Sequence, residues 1–174
     1  MFRYIISICL VFFVLACQRV YIPQSAQTKI YMQLISLDSF VSHRQAKRLA
    51  KELVYISNHL KQKFHPVIEP HFNNLLVNLG IQKGGLCYEW SDSLYLYFKT
   101  KEDYYTDFKF HLLVSHQGEY WSEHNAFAIS LKGHDIEDGL VVDLWRDIDG
   151  IYVSKIKEDK SYHWVYRKDR EIFR

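Results

Sequence analysis

The sequence contains little proline and glycine, with 3 and 7 among its 174 residues. This scarcity excludes long flexible linkers, because such linkers are built mainly from these residue types. The net charge is only +2, and no run of basic residues extends beyond a few positions. The chain therefore lacks the electrostatic features of a nucleic-acid-binding protein, and we expect no nucleic-acid partner.

Apolar and aromatic residues, by contrast, are abundant. Hydrophobic residues make up 48% of the chain and charged residues 24%, and there are 13 Tyr, 11 Phe and 4 Trp. This balance is that of a folded globular protein, and it excludes a disordered tail, a collagen-like fibre or a protein with many membrane spans. Because the length is close to that of one domain, we expect a single aromatic-rich core.

The N-terminal residues have the pattern of an export signal. Arg3 supplies a positive charge, and the apolar run from Ile5 to Leu15 is interrupted only by Ser7. At about eleven residues, this run is too short to span a bilayer as a permanent helix. It ends in Val14-Leu15-Ala16-Cys17, which resembles the lipobox of bacterial lipoproteins. The alternative is an uncleaved amphiphilic anchor.

The resemblance implies cleavage before Cys17 and lipid on its sulfur. The chain then divides into a signal peptide (1–16), a lipidated tether (17–38) and a folded domain (39–174). The implied location is a bacterial cell-envelope membrane, on its extracytoplasmic side. In a bacterium with two membranes, this side is the periplasm.

Processing would leave one free thiol. Cys9 is removed with the signal peptide and Cys17 carries lipid, so only Cys87 remains. An unpaired thiol in an exported protein is either a small buried apolar residue or a reactive group.

Three helices are predicted in the first half of the domain. The first begins at Ser42, which forms a capping box with Gln45, and it ends at His65-Pro66. Its apolar residues recur at steps of three and four: Ala46, Leu49, Leu53, Ile56, Leu60 and Phe64. A second helix ends near Leu79. A third begins just after the glycine pair 84–85, and the positive end of its dipole favours a thiolate in its first turn, at position 87.

The hydrophobic period changes from 3.6 to 2 after Asp107. Strands are predicted near 108–114, 120–131, 140–146, 151–157 and 162–167, with Asp-Gly turn signals at 138–139 and 149–150. Helices followed by closely linked strands indicate an α+β domain, in which N-terminal helices pack on an antiparallel sheet.

Two polar residues in apolar strands complete a set of catalytic candidates. His124 alternates with Ala126 and Ala128 on one strand face, where small neighbours leave room for another group. Asp143 interrupts the apolar strand that follows, and an acid in that position needs a partner. An imidazole N–H is a suitable partner, and the acid would fix the tautomer of the ring.

A helix-borne Cys, a strand-borne His and a strand-borne Asp, in this order, resemble the bacterial transglutaminase-like and papain-like cysteine enzymes. The matching segments are Gly85-Leu86-Cys87 with Trp90 and Leu94, His124-Asn125-Ala126-Phe127, and Val142-Asp143-Leu144-Trp145. The resemblance implies that Cys87 is the nucleophile, His124 the general base and acid, and Asp143 the orienting acid. It also implies thioester acyl transfer without a cofactor, on a protein or peptide substrate such as a cell-envelope peptide.

Departures from the family pattern favour hydrolysis of a peptide or isopeptide bond over protein cross-linking. Leu144 replaces a frequent Pro, and Leu86 and Tyr88 replace the Gln and Trp that flank the Cys of animal cross-linking enzymes. Gln82 resembles the upstream Gln of papain-like enzymes and is a candidate oxyanion donor. The backbone N–H of Cys87 is the other candidate donor.

Strand alternation limits which groups can reach His124. It places Glu123 and Asn125 on the opposite strand face, which argues against catalytic roles for both. It places Asp143 on the same face as His124 in a simple hairpin. A hydrogen bond between the two requires direct pairing of positions 124 and 143 or a bulge, because a wider loop separates them by roughly 13 Å.

Two alternatives use the same residues differently. A metal site could be assembled from His111, His116, His124 and Cys87, but no compact ligand spacing preorganises it, and we expect no metal. The chain could also be a non-catalytic lipoprotein that uses the fold as a binding or structural module.

Overall fold

The computed structural model describes residues 21–66, 69–119, 121–147 and 150–167. The predicted signal peptide and the predicted lipidation position, Cys17, lie outside the described residues. The described helices are α1 (Ser25–Ile35), α2 (His43–Phe64), α3 (Pro70–Asn78) and α4 (Cys87–Lys99). The strands are β1 (Phe108–Ser115), β2 (His124–Leu131), β3 (Leu140–Asp143), β4 (Tyr152–Lys155) and β5 (Val165–Tyr166). Within these residues, no helix is long and apolar enough to cross a membrane.

The α+β class with an antiparallel sheet is confirmed. Five strands pair in the order β4-β3-β2-β1-β5, and each pairing is antiparallel. The change of period after Asp107 coincides with the start of β1 at Phe108. Strands β2 to β5 are shorter than the predicted ranges, because residues at the ends of those ranges lie in loops.

Residues 21–38 belong to the folded body, which differs from the tether predicted over 17–38. They contain α1, and the side chains of Ile22, Ile30 and Leu34 are fully buried. The backbone N–H of Ile22 donates to Asn58 Oδ1 on α2 at 2.7 Å. The mixed polarity of this segment does not predict its buried helical face. Because residues 21–38 pack in the folded body, any tether must lie before residue 21.

Helix α2 follows its predicted limits. Ser42 is the N-cap, and its side chain accepts from the backbone N–H of Gln45 at 3.4 Å. The Gln45 side chain does not close a capping box, because it bonds instead to Thr106 and to the backbone N–H of Asp107. The helix ends where His65 adopts a left-handed conformation before Pro66.

Helix α3 contributes to the site through a polar residue and leaves apolar residues exposed. Asn73 is buried and donates to the backbone carbonyls of Gly84 and Gly85, at 3.3 and 3.1 Å. The side chains of Phe72 and Leu75 are about half exposed. Helix α3 therefore holds the loop that precedes Cys87.

The core lies mainly between the helices and one face of the sheet. Helix α4 packs on β2 and β1, where Phe98 stacks near Phe110 and Phe127. A smaller cluster covers the opposite face and includes Ala126, Ala128, Val141, Ile156 and Trp164. Helix α4 and strand β2 thus bring position 87 to the first residues of β2.

Candidate active site

Cys87 is the first residue of α4, as the sequence predicts. Gly85 before it has a φ of 98°, and a Cβ at this position would lie 2.9 Å from Asn73 Nδ2. The carboxylate of Glu89 accepts from the backbone N–H groups of Gly85 and Leu86, at 2.7 and 2.9 Å. This capped turn places the Cys87 thiol at the positive end of a 13-residue helix, where negative charge is stabilised.

His124 and Asp143 lie together on neighbouring strands. His124 Nε2 is 2.6 Å from Asp143 Oδ2, and the two side chains are only 3% and 2% exposed. The second ring nitrogen, Nδ1, remains available to the Cys87 side chain, which is close enough to raise the pKa of this imidazole. The structure therefore brings together the three residues that the sequence singles out.

The strand register that joins them differs from the one that the hairpin argument required. Phe127 pairs with Val142 and Ile129 with Leu140, so the continued register sets Asp143 opposite Ala126. His124 and Asp143 share a face, as alternation predicts, but they are diagonal neighbours rather than a direct pair. The requirement for direct pairing or a bulge was wrong, because His and Asp side chains bridge the diagonal spacing of about 7–8 Å between Cα atoms.

Asp143 is held in place by groups that the sequence analysis did not identify. Its Oδ1 accepts from the backbone N–H groups of Trp145 and Arg146, at 2.9 and 3.1 Å. Arg146 Nε lies 3.3 Å from Asp143 Oδ2, and its guanidinium pairs with Asp159 at 2.8 Å. These contacts compensate the buried carboxylate. Arg146 is close to Asp143 in sequence, but no pattern indicates Asp159.

Aromatic side chains enclose the imidazole. The ring centroid of His124 is 4.8 Å from that of Trp145, 4.6 Å from Tyr162 and 5.6 Å from Trp164. Tyr162 and Trp164 reach the site from the last described segment, at a sequence distance that no local motif reveals. The enclosure excludes water from the His–Asp pair and strengthens its electrostatic interaction.

The environment of His124 favours its protonated form. Burial alone lowers the pKa of an imidazole, but the hydrogen bonds to Asp143 and Cys87 outweigh burial and raise the pKa of His124 to about 9. At neutral pH, a protonated ring therefore stands beside the sulfur. A sulfur with an imidazolium on one side and a helix N-terminus on the other is placed for nucleophilic chemistry.

Asn125 contacts the candidate nucleophile, contrary to the expectation from alternation. Its Nδ2 lies 3.9 Å from Cys87 Sγ. Alternation is correct about direction, because Asn125 points toward the face on which α4 packs. Cys87 itself lies on that face, so a position on the face opposite to His124 does not separate Asn125 from the candidate nucleophile.

Gln82 does not lie in an oxyanion position. Its Nε2 donates to the backbone carbonyl of Phe64, and it also donates to that of His65 at 2.9 Å. The side chain thus caps the end of α2 instead of facing Cys87. Glu123 accepts from the backbone N–H of Gly118 at 2.8 Å and supports the loop before β2.

The histidines of the metal alternative are dispersed. His111 Nε2 is 2.9 Å from Ser130 Oγ within the sheet, and His116 lies on an exposed turn near Glu119. Across the described part of the chain, no group of three or more His, Cys, Asp or Glu side chains could hold a metal ion.

Comparison with known proteins gives no further information on the function of this site. No family model, curated protein or solved structure matches this chain. A function can therefore be proposed only from the residues of the site and their arrangement.

Proposed function

We propose that this protein is a cysteine hydrolase similar to the transglutaminase-like and papain-like enzymes. The observation that supports the proposal best is the sequence of contacts from Cys87 to His124 to Asp143. The thiol lies at the start of α4, the imidazole is near enough for the thiol to raise its pKa, and the carboxylate holds Nε2 of the ring at 2.6 Å. A nucleophile, a base and an orienting acid in contact are the components of acyl transfer.

The proposed reaction is hydrolysis of a peptide or isopeptide bond through a thioester. Cys87 Sγ attacks the carbonyl carbon, and its electron pair forms the C–S bond. His124 donates its proton to the leaving amine as the C–N bond breaks. A water molecule then attacks the thioester while His124 accepts its proton. The C–S bond breaks, its electron pair returns to the sulfur, and the carboxylic acid leaves, which restores the imidazolium beside the Cys87 thiolate.

Asp143 orients the ring throughout the proposed reaction and does not take up the proton. Two backbone N–H groups donate to its Oδ1, and Arg146 Nε lies 3.3 Å from its Oδ2, so the carboxylate is held in one orientation. The contact between its Oδ2 and His124 Nε2 keeps a proton on Nε2 and leaves Nδ1 for the sulfur.

We place this activity at a bacterial cell envelope. The support is the lipobox-like sequence ending in Cys17, after a short apolar run. A lipid anchor there would hold the domain on the extracytoplasmic side of a membrane, with access to envelope peptides. The competing role is a non-catalytic binding or structural module, in which Cys87 is only a packing residue.

The direct test is the formation of a thioester on Cys87. The full chain is incubated with p-nitrophenyl acetate, and acetylated peptides are mapped by mass spectrometry. We expect acetyl transfer to Cys87 with release of p-nitrophenolate, followed by hydrolysis. Cys87→Ala is the matched control: it retains Cys9 and Cys17, so it measures their background reaction with the ester, and it should show no repeated turnover. Absence of acetyl transfer to Cys87 in the wild type would support the non-catalytic role.

A further inference from the structure

We infer that Asn125 donates a second hydrogen bond to the oxyanion, and that Arg167 and Asp92 hold its amide in the required orientation. The inference rests on the proposed function and names a further catalytic residue for it. It begins from the contact between Asn125 Nδ2 and Cys87 Sγ, which are 3.9 Å apart.

The orientation of the Asn125 amide follows from its neighbours. Its Oδ1 lies 3.1 Å from Arg167 Nη1, and a guanidinium can only donate. The oxygen must therefore face Arg167, and the NH2 group must face the sulfur. The carboxylate of Glu123 agrees with this assignment, because its Oε1 accepts from Asn125 Nδ2 at 3.2 Å.

Arg167 links the amide to the helix that carries the nucleophile. Its Nη2 forms an ion pair with Asp92 on α4, five residues after Cys87. The side chains of Arg167 and Asp92 are 1% and 4% exposed. A buried ion pair of this kind fixes the guanidinium, and the guanidinium in turn fixes the Asn125 amide relative to the start of α4.

This geometry suits the charge that develops during acyl transfer. When Sγ attacks a carbonyl carbon, the C=O π electrons move to the oxygen, which then lies next to the sulfur. The Cys87 backbone N–H is one donor there, as in other helix-borne nucleophiles, and the Asn125 N–H is directed to the same region. Before substrate binds, one N–H of the Asn125 amide is directed to Glu123 and the other to the Cys87 sulfur.

Two reactions of the same thiol separate this role from simple packing. Acylation by p-nitrophenyl acetate passes through an oxyanion. Alkylation by iodoacetamide displaces iodide at a saturated carbon and forms no oxyanion. The ratio of the acylation rate to the alkylation rate therefore reports oxyanion stabilisation and cancels changes in thiolate concentration.

The experiment measures this ratio for the wild type, Asn125→Ala and Asn125→Asp. We expect both variants to lower the ratio by about 10²-fold, because each removes the N–H donor. Asn125→Asp keeps an oxygen for Arg167, so it tests the inference even if Asn125→Ala fails to fold. Arg167→Lys, a positioning variant, should keep a charge for Asp92 and lower the ratio by a smaller factor.

The outcomes distinguish the two proposals. A wild-type ratio in Asn125→Asp would overturn the inference and leave the proposed function standing. If wild-type Cys87 is not acylated at all, the proposed function fails, and the inference fails with it.

Discussion

His124 Nε2 and Asp143 Oδ2 are 2.6 Å apart across β2 and β3, in a pair that is almost completely buried. The two residues do not lie directly opposite each other on the paired strands, because the register makes them diagonal neighbours. It forms because Asp143 is the last residue of its strand, where the following turn supplies backbone N–H donors to the carboxylate. The same contact leaves the other imidazole nitrogen available to Cys87.

Asp143→Asn should lower acyl transfer strongly and leave the fold largely intact. The two backbone N–H groups would hold the amide oxygen, so the NH2 group would face His124 Nε2. This reverses the imidazole tautomer and places a proton on Nδ1, where it can no longer accept one from the thiol. We expect a loss of about 10²–10⁴-fold in p-nitrophenyl acetate turnover, measured at neutral pH.

Asp138→Asn is a matched control for this substitution. Asp138 also pairs with a cation, Lys157, but on an exposed surface away from the site. It should leave turnover unchanged. Equal turnover in the wild type and Asp143→Asn would show that the buried carboxylate has no part in the reaction.

Two histidines whose pKa values shift in opposite directions should make the free energy of unfolding depend on pH, each on its own side of pH ~6.5. Burial and the charge of Lys109 lower the pKa of His111 to about 4, so between pH 4 and 6.5 the unfolded chain binds more protons and stability falls with acid. The pKa of His124 is raised to about 9, so between pH 6.5 and 9 His124 holds its proton in the folded chain and has lost it in the unfolded chain. Its contribution is complete below pH 6.5 and is lost as the pH rises through 9.

Urea unfolding of the wild type and two variants measures these contributions separately. His111→Gln should flatten the acid side of the stability profile, and His124→Gln should flatten the alkaline side. Each histidine changes the slope by at most about 1.4 kcal/mol per pH unit. The His124 comparison is made in a Cys87→Ala background, where no thiol at position 87 can lose a proton and offset the one that His124 holds. A difference between Cys87→Ala and the double variant Cys87→Ala/His124→Gln that stays constant from pH 6.5 to 9 would contradict a raised pKa of His124.

Cys17→Ser should prevent lipidation and leave the protein unprocessed or released from the membrane. Membrane fractionation and the mass of the N-terminal peptide measure this outcome in an expressing bacterium. Cys9→Ser is the matched control, because Cys9 lies inside the apolar run and should not affect processing. Normal cleavage and membrane retention of Cys17→Ser would exclude the lipoprotein interpretation.

The fold class and the limits of the central helices could be predicted because local signals specify them. The N-cap at Ser42, the break at His65-Pro66 and the glycines before Cys87 all act within a few residues. Helix α1 was missed because its buried side chains, such as Ile30, are few and its mean pattern is mixed. Its helical state depends on packing against α2, which local propensity does not contain.

The part of the candidate site that the sequence predicts consists of polar residues inside apolar strands. His124 and Asp143 were identified because a polar group inside a strand requires a partner. Arg167 could not be identified from sequence, because its role depends on a contact with Asn125 across 42 positions. Strand alternation argues against a catalytic role for Asn125, because it places this residue on the face opposite to His124. Alternation does not show where the start of a helix meets the end of a strand.

The most direct test of the account is the rate of Cys87 alkylation by iodoacetamide as a function of pH, in the wild type and His124→Ala. We expect rapid alkylation of the wild type at about pH 6–7, because the His124 imidazolium stabilises the thiolate there. His124→Ala should react at least about tenfold more slowly in this range and approach the wild-type rate only near pH ~9. His116→Ala, which changes an exposed histidine, should behave as the wild type. Identical profiles for the wild type and His124→Ala, both rising like an ordinary thiol near pH ~8.5, would contradict the proposed cysteine hydrolase.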